Sequence, residues 1–404
     1  MTIVTDPPRR AFRPSMLLND TRYRSYTFQL IAIVALAALL AWLLSNAAAN
    51  LATQGQDISF RFLGEPAGYD INQQPIPYNN QDTHLRAAVI GVINTLIVAV
   101  LGCITATVIG VLAGVLRLSP NWLVSKLMAV YVEAFRNVPV LIWILIIFSI
   151  MTVSMPAPSA FRGQDPDLSM VLGMFAFTNR GIYAPAPVMA PLGWAVVGVF
   201  AASVLGALWW RRRVRAALYD EGRVLPLVWP MLAILTLPTL IAFYALGRPI
   251  SLDYPTIERF NFEGGFNVLS SLIALWFALA IYTGAFIAEN VRAGIQAVSR
   301  GQTEDAASLG LRPGRIMGLV VLPQALRIII PPLISQYLNL TKNSSLAIAV
   351  GYMDVTGTLG GITLNQTGRA IEAILLLMLF YLAISLSISA LMNAYNASIR
   401  LKER

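Results

Sequence analysis

The chain has 404 residues, of which 57% are hydrophobic and only 12% are charged. Soluble domains average about 25% charged residues, so this composition indicates a polytopic membrane protein. The net charge of +9 is expected to come from loops on one side of a membrane, because Lys and Arg set topology, and not from a nucleic-acid surface. The single cysteine, Cys103, and single histidine, His84, exclude an intramolecular disulfide and metal sites built from Cys or His clusters.

The first apolar run, residues 26–44, follows an arginine-rich segment and is long enough to cross the ~30 Å hydrocarbon core as a helix. We interpret it as an uncleaved first span, with residues 1–25 as a cytoplasmic tail. Residues 45–85 are polar and contain several prolines and glycines. The region 26–85 is therefore predicted to be a first span followed by a periplasmic spacer.

Seven further spans are predicted from apolar runs that alternate in direction. Their approximate ranges are residues 87–116, 127–153, 187–210, 225–246, 266–288, a segment that begins near 326, and 370–392. The arginine clusters, most concentrated at residues 211–215, then all lie on one side, so both termini are predicted to be cytoplasmic. The fold class is an all-α polytopic membrane protein with about eight transmembrane helices.

Beyond the tail and the first span, three regions are expected. They are a first core segment at 86–153, an insertion with two extra spans at 154–265, and a second core segment at 266–404. In the first core segment, Gly110 and Gly114 have a small-xxx-small spacing, which either permits close approach of two helices or reflects the ordinary use of glycine in spans.

No stretch of the sequence carries a nucleotide-binding or catalytic motif. GxxxxGK[ST], HExxH, GxSxG and paired-cysteine patterns are all missing from the sequence. We therefore predict no catalytic residue, no metal site and no cofactor bound by this chain, which would not be an enzyme.

A polar gap between two apolar runs, residues 303–323, has the pattern of a short helix–turn–helix. Thr303 is predicted to cap the first helix, and Gly310 to stop it in a left-handed conformation. Pro313 suits the start of a second, apolar helix, which Pro323 is predicted to end. On the arginine-rich side of the membrane, this shape suits either docking of a soluble partner or a plain interfacial helix.

Several polar residues interrupt the seventh span within residues 339–345. Such groups inside a membrane span indicate either a substrate pathway or hydrogen bonds between helices. Glu133 and Arg136, near one end of the third span, are likewise either an interfacial pair or a wall of the pathway. The candidate pathway residues are Asn339, Thr341, Lys342, Asn343, Ser344, Ser345, Glu133 and Arg136.

Residues 304–323 resemble the EAA loop of bacterial ABC import permeases. The matching positions are Glu304, Ala306, Gly310, Val320, Leu322 and Pro323. Asp305 replaces the first alanine of Glu-Ala-Ala, and Val320 replaces the usual isoleucine. The resemblance implies that this loop couples the chain to an ATPase. The coupling residues would be Glu304, Asp305, Ala306, Ala307, Gly310, Leu311, Arg312 and Pro323.

Further stretches resemble the polar amino-acid uptake permeases. They lie at residues 91–96, 132–139, 288–292, 322–327 and 339–346. The insertion at 154–265 is similar to one permease subunit of the general L-amino-acid or glutamate/glutamine/aspartate/asparagine importers. Some family members carry Asp at the position of Asn343, which suits a cationic group, so Asn343 implies a broader or neutral preference.

The resemblance implies a multi-subunit importer of L-amino acids in the bacterial inner membrane. Its other parts would be a second permease subunit, an ABC ATPase dimer that binds ATP and Mg²⁺, and a periplasmic amino-acid-binding protein. Two other functions stay open from the residues alone: a secondary transporter of a small polar solute, and a membrane scaffold without transport activity.

Overall fold

The structure is a computed structural model that describes residues 21–53, 57–162, 169–258 and 260–399. The predictions made for residues 1–20 and for the basic residues at 400–404 lie outside these ranges. The chain divides into two units, Met1–Leu63 and Gly64–Arg404, which are described separately.

The first unit contains one long helix, α1, Thr21–Thr53. Its portion Tyr23–Asn50 is long and apolar enough to cross a membrane. The first predicted span is therefore confirmed, and the helix extends beyond the predicted range 26–44. A short 3-10 turn, Arg61–Gly64, marks the boundary between the two units.

The second unit is built mainly from helices. These are α2 His84–Leu116, α3 Trp122–Asn137, α4 Val140–Ser149, α5 Gly193–Asp220, α6 Val228–Ala245, α7 Ser270–Gln296, α8 Arg300–Ser308, α9 Pro313–Ile316, α10 Leu322–Asn343, α11 Leu364–Thr367 and α12 Ala370–Ile399. Shorter π-helical turns lie at Ile150–Ser154, Met317–Val321 and Thr356–Thr363, and 3-10 turns at Pro158–Phe161 and Ser344–Val350.

Within the described ranges, seven helices are long and apolar enough to cross a membrane, or eight if the bent pair α3–α4 is one span. This count confirms the predicted polytopic helical fold. The third predicted span is not one straight helix, however, because α3 and α4 meet at an angle of 104°. Val138 is extended at φ −108° and ψ 133°. Pro139 explains the break, since proline lacks an N–H and disfavours helical backbone at the residue before it.

Helices α2 and α7 form the centre of the second unit. A Cβ atom added to Gly110 would lie 2.5 Å from the Cβ of Ile287, and one added to Gly114 would lie 2.6 Å from the carbonyl oxygen of Ala288. The two glycines therefore permit close approach of the helices, which decides between the two interpretations of their spacing. Buried residues of α4 and α10, such as Ile144 and Ile329, complete this core.

The insertion and the segment directly after it contain strands that were not predicted from the sequence. They are β1 Ala176–Thr178, β2 Gly181–Ala184, β3 Ala186–Met189, β4 Ile250–Asp253, β5 Thr256–Ile257, β6 Phe262–Glu263 and β7 Phe266–Leu269. They pair antiparallel as β1-β2-β7, β3-β4 and β5-β6. The spans predicted to begin at 187 and 266 are therefore wrong at those ends, where the first residues are extended.

The strands connect the inserted helices to the core. β7 leads directly into α7, and the hydroxyl of Ser270 donates to the carbonyl of Asn179 at 3.0 Å. β3 precedes α5 and β4 follows α6, so the β3-β4 pair forms the base of the α5–α6 hairpin. Because β2 pairs with β7 and is followed directly by β3, the strands connect the base of the hairpin to the start of α7.

Candidate functional site: the coupling loop and the polar segment

The loop at 303–323 begins earlier than predicted. Helix α8 starts at Arg300 after Ser299, whose φ is −62° and ψ 140°. Thr303 is therefore inside the helix and not its cap, and its hydroxyl donates to the carbonyl of Arg300 at 2.6 Å. Glu304 and Asp305 consequently lie beyond the first turn, so helix-dipole stabilisation there does not explain the choice of Asp305.

Gly310 ends the first arm of the loop in the predicted left-handed conformation, with φ +77°. Its N–H donates to the carbonyl of Ala307 at 2.9 Å, and the N–H of Leu311 donates to that of Ala306 at 3.4 Å. A Cβ atom at Gly310 would meet no atom within 4 Å. Backbone conformation alone, without lack of space, therefore requires glycine at this position.

Pro313 starts the second arm, α9, as predicted. Pro323 does not end it: Pro323 lies in the first turn of α10, where a missing N–H is tolerated. Helix α9, the π-helical turn and α10 follow one another directly, and Pro313–Val350 forms one candidate span of 38 residues. The loop and the polar segment are consequently parts of one continuous helical path.

A small apolar cluster holds the two arms together. Its buried members are Ala306, Ile316 and Val321, and Ile295, Val298, Leu311 and Val320 pack around them. The side-chain amide of Gln324 also donates to the side-chain Oε1 of Gln302. These contacts join both arms of the loop to the end of α7.

The outer surface of the first arm is free of partners in the described part of the chain. Glu304, Asp305 and Ala307 are exposed and form no ion pair there, and Arg312 is also exposed. Leu309 at the tip is 81% exposed. Leu309 was not among the predicted coupling residues, although a leucine directly before a glycine stop, in a loop predicted to dock a partner, is a usable signal in the sequence.

The polar segment 339–345 spans the end of α10 and the start of a 3-10 turn. The hydroxyls of Thr341, Ser344 and Ser345 donate to backbone carbonyls of the same helical segment at 2.8, 2.7 and 2.8 Å. These three hydroxyls are therefore satisfied locally.

The remaining polar groups of this segment are not satisfied in that way. The side chains of Asn339, Lys342 and Asn343 form no hydrogen bond with any other described residue. Asn339 and Lys342 are exposed, and Asn343 is half-buried. These three side chains therefore keep their hydrogen-bonding groups unused within the described part of the chain.

A buried polar network extends from this segment to the next turn. The hydroxyl of Tyr381 interacts with the side chains of Ser344 and Ser345 and lies 3.1 Å from that of Thr356. Asp354 is fully buried, with Oδ1 accepting from the N–H of Gly357 at 2.8 Å. Burial raises the pKa of Asp354 to about 7. Asp354 was not predicted from the sequence, because only the fold buries this loop residue.

Asn94 of α2 fixes the loop that carries Asp354. Its amide donates to the carbonyls of Met353 at 2.8 Å and Gln73 at 3.0 Å. The N–H of Val355 also donates to the hydroxyl of Thr95 at 3.1 Å. The loop is therefore held against α2 by buried hydrogen bonds.

Glu133 and Arg136 are not brought to the polar segment. The guanidinium of Arg117 lies 3.8 Å from the carboxylate of Glu133 and also pairs with that of Glu289. The guanidinium of Arg136 lies 5.2 Å from the ring centre of Phe286. Within the described residues, no hydrogen bond or ion pair joins Glu133 and Arg136 to each other. Their placement in a pathway stays a prediction.

The chain is a multi-pass membrane protein in which a helical loop leads, along one continuous helical path, to a polar segment of a span. Residues 195–401 match the family model of the binding-protein-dependent transport system inner membrane component. The chain belongs to this family.

Relatives match the chain from end to end. The glutamate/glutamine/aspartate/asparagine transport system permease protein of Rhodobacter capsulatus is 54% identical over 100% of both chains. The general L-amino acid transport system permease protein of Rhizobium johnstonii is 43% identical over 98% of this chain and 96% of its own. A solved amino acid ABC transporter with histidines overlaps 78% of this chain and 95% of its own, with a TM-score of 0.45 and 18% identity. The predicted resemblance to the long-insertion permeases is confirmed by the first two.

Proposed function

We propose that this chain is one of two different permease subunits of an ATP-driven importer that carries L-amino acids across the bacterial inner membrane. The names of its full-length relatives support the amino-acid substrate. The observation that supports the coupling mechanism most strongly is the continuous helical path Pro313–Val350, which joins an exposed loop to the polar segment.

The exposed first arm of the loop docks onto the ATPase. Glu304, Asp305, Ala307 and Arg312 offer charged and small groups to the partner, and exposed Leu309 offers an apolar one. ATP and Mg²⁺ bind on that ATPase, and this chain supplies no group to the hydrolysis. Closure of the ATPase dimer displaces the first arm, and the cluster around Ala306 transfers the displacement to α10. The contacts of the coupling loop therefore differ between the states with the ATPase dimer open and closed, because a partner can drive a conformational change only through contacts that differ between the two states.

The polar segment forms part of the substrate pathway. Asn339, Lys342 and Asn343 contact the solute, since their side chains have no other partner among the described residues. Thr341, Ser344 and Ser345 shape the segment through their bonds to its backbone. A neutral Asn343 fits a substrate range that is not restricted to cationic amino acids.

The second permease subunit packs beside the core, and a periplasmic amino-acid-binding protein delivers substrate to the opposite face from the ATPase. The termini and the coupling loop are cytoplasmic. This orientation follows from the concentration of arginines at residues 211–215 on the same side as the loop.

The test is ATP-driven uptake of a radiolabelled amino acid by proteoliposomes that contain the assembled transporter. Glu304→Lys is expected to lower uptake at least tenfold with normal membrane insertion. Glu221→Lys is the matched control, because it reverses an exposed charge at the arginine-bearing end of α5 and is expected to retain uptake. Equal uptake by wild type and Glu304→Lys would contradict the coupling role.

The same vesicles distinguish the ATP-driven importer from a secondary transporter. That function requires uptake driven by an ion gradient when the ATPase is omitted. We expect no such uptake. Uptake without the ATPase would contradict the proposed ABC importer and support the secondary transporter.

A further inference from the structure

The α5–α6 hairpin has a long first helix that extends beyond the membrane. Helix α5 has 28 residues and is therefore about 42 Å long at 1.5 Å per residue. The hydrocarbon core is only ~30 Å thick, so the end of α5 that carries arginines 211–215 emerges from it. Arg211 follows the first 18 residues of this helix and therefore lies near the boundary between hydrocarbon and headgroups.

A cleft of about 350 Å³ lies between the two helices at this end. It is many times larger than the ~30 Å³ that one water molecule occupies. Its walls are Val204, Ala207, Leu208 and Arg211 from α5, and Leu227, Met231 and Leu235 from the other side. Each set follows the spacing of three or four residues that places side chains on one helix face. The cleft is thus apolar along its length, with a guanidinium at its outer end.

The two helices pack closely alongside the cleft. A Cβ atom added to Gly206 would lie 3.2 Å from a methyl of Ile234. At the outer end, the indole N–H of Trp210 donates to the carbonyl of Pro226 at 3.3 Å, which fixes the connecting segment. Among its described residues, α6 has no buried side chain, so other faces of this helix are also uncovered.

The arginines at this end are not neutralised by the chain itself. Arg211 lines the cleft, and Arg215, four residues further on, lies on the same side of the helix beyond the mouth of the cleft, whereas Arg212 and Arg213 lie on other faces. All four are exposed, and none forms an ion pair with another described residue.

Exposed tryptophans lie at the same depth. Trp209 is 63% exposed and Trp229 is 79% exposed. Tryptophan is enriched where hydrocarbon meets headgroups, so this end of the hairpin has the composition of a membrane interface.

We propose that the α5–α6 cleft binds one anionic phospholipid. An acyl chain lies along the apolar walls, and the headgroup phosphate pairs with Arg211 and Arg215. Basic groups at the mouth of an intramembrane cleft recognise anionic headgroups, and the apolar walls favour a lipid over free phosphate. A helix of another protein could cover the same walls, but it would not account for the uncompensated arginines at their outer end.

The test is titration of the purified full-length chain in detergent with phosphatidylglycerol, with bound lipid counted by native mass spectrometry. Arg211→Gln/Arg215→Gln is expected to weaken binding about 30-fold, since each arginine beside an anionic lipid contributes roughly fivefold. Arg212→Gln/Arg213→Gln is the matched control, because it removes the same charge from the same turn. It is expected to weaken binding less than about threefold, and phosphatidylcholine is expected to bind weakly to every variant.

A second variant tests the apolar walls without changing charge. Val204→Trp fills the cleft and is expected to reduce bound phosphatidylglycerol, with size-exclusion profiles that show an intact fold for each variant. Equal loss from the two double-arginine variants would overturn the site, because it would indicate a general charge effect. Unchanged binding by Val204→Trp, or equal binding of the two lipids by the wild type, would also overturn it.

Discussion

Replacing Gly310 by alanine isolates the conformational requirement of the coupling loop. The residue has φ +77°, and a Cβ atom there would meet no atom within 4 Å. Alanine therefore introduces no clash, and its whole effect comes from the left-handed backbone. That conformation costs a residue with a Cβ atom about 1–2 kcal/mol.

This cost opposes the docked form of the loop, which requires the two arms to stay packed. A loss of about 1–2 kcal/mol corresponds to docking roughly 5- to 30-fold weaker. Gly310→Asn is expected to show a smaller loss, because Asn tolerates the left-handed region better than Ala.

The assay is the affinity of the purified ATPase for the permease in nanodiscs, measured with ATP-driven uptake. Gly314→Ala is the matched control: a Cβ atom there also meets nothing within 4 Å, but Gly314 lies within helix α9. Alanine in a helix is favoured over glycine by about 0.5–1 kcal/mol, so docking is expected to be retained. Wild-type docking by Gly310→Ala, or equal loss by Gly314→Ala, would refute the conformational explanation.

Three further outcomes are expected. Gly110→Ala places a Cβ atom 2.5 Å from that of Ile287 and should destabilise the protein by about 1–3 kcal/mol. The measurement is the thermal midpoint in detergent, which should fall. Gly198→Ala is the control and should leave the midpoint unchanged, because a Cβ atom there meets no atom within 4 Å. Burial raises the pKa of Asp354 from 3.8 to about 7, so this residue favours the folded state while its carboxyl is protonated. The thermal midpoint should therefore fall as pH rises from about 4 to above 7, and Asp354→Asn should remove this dependence. A midpoint that rises with pH would contradict the burial effect. In Asn343→Asp, unlabelled cationic amino acids should compete more strongly for uptake of the radiolabelled substrate than they do in the wild type. An unchanged substrate profile would contradict a role for Asn343 in the pathway.

Features that depend on local sequence were predicted well. Long apolar runs identify spans because the hydrocarbon core requires a helix of a minimum length. The conformation of Gly310 and the start of α9 at Pro313 were also predictable, since each depends on one residue type at a helix end.

Features that depend on neighbours in space were missed or wrong. Pro323 was expected to end a helix, but the preceding turn supplies the geometry that lets a proline start α10. The small sheets join strands as distant in sequence as β2 and β7, so a short stretch of sequence does not show that these strands pair. Asp354 has an unremarkable loop sequence, and its burial arises only because α2 and its polar side chains lie against it.

The central claim is that the tip of the first arm contacts the ATPase. A photo-crosslinking amino acid at Leu309, in the assembled transporter, tests it most directly. Val224 is the control position, because it is 86% exposed, against 81% for Leu309, and lies in the connection between α5 and α6 on the arginine-bearing side. We predict a crosslink to the ATPase from Leu309 and none from Val224. Absence of an ATPase crosslink at Leu309, or an equal yield at Val224, would contradict the proposed docking.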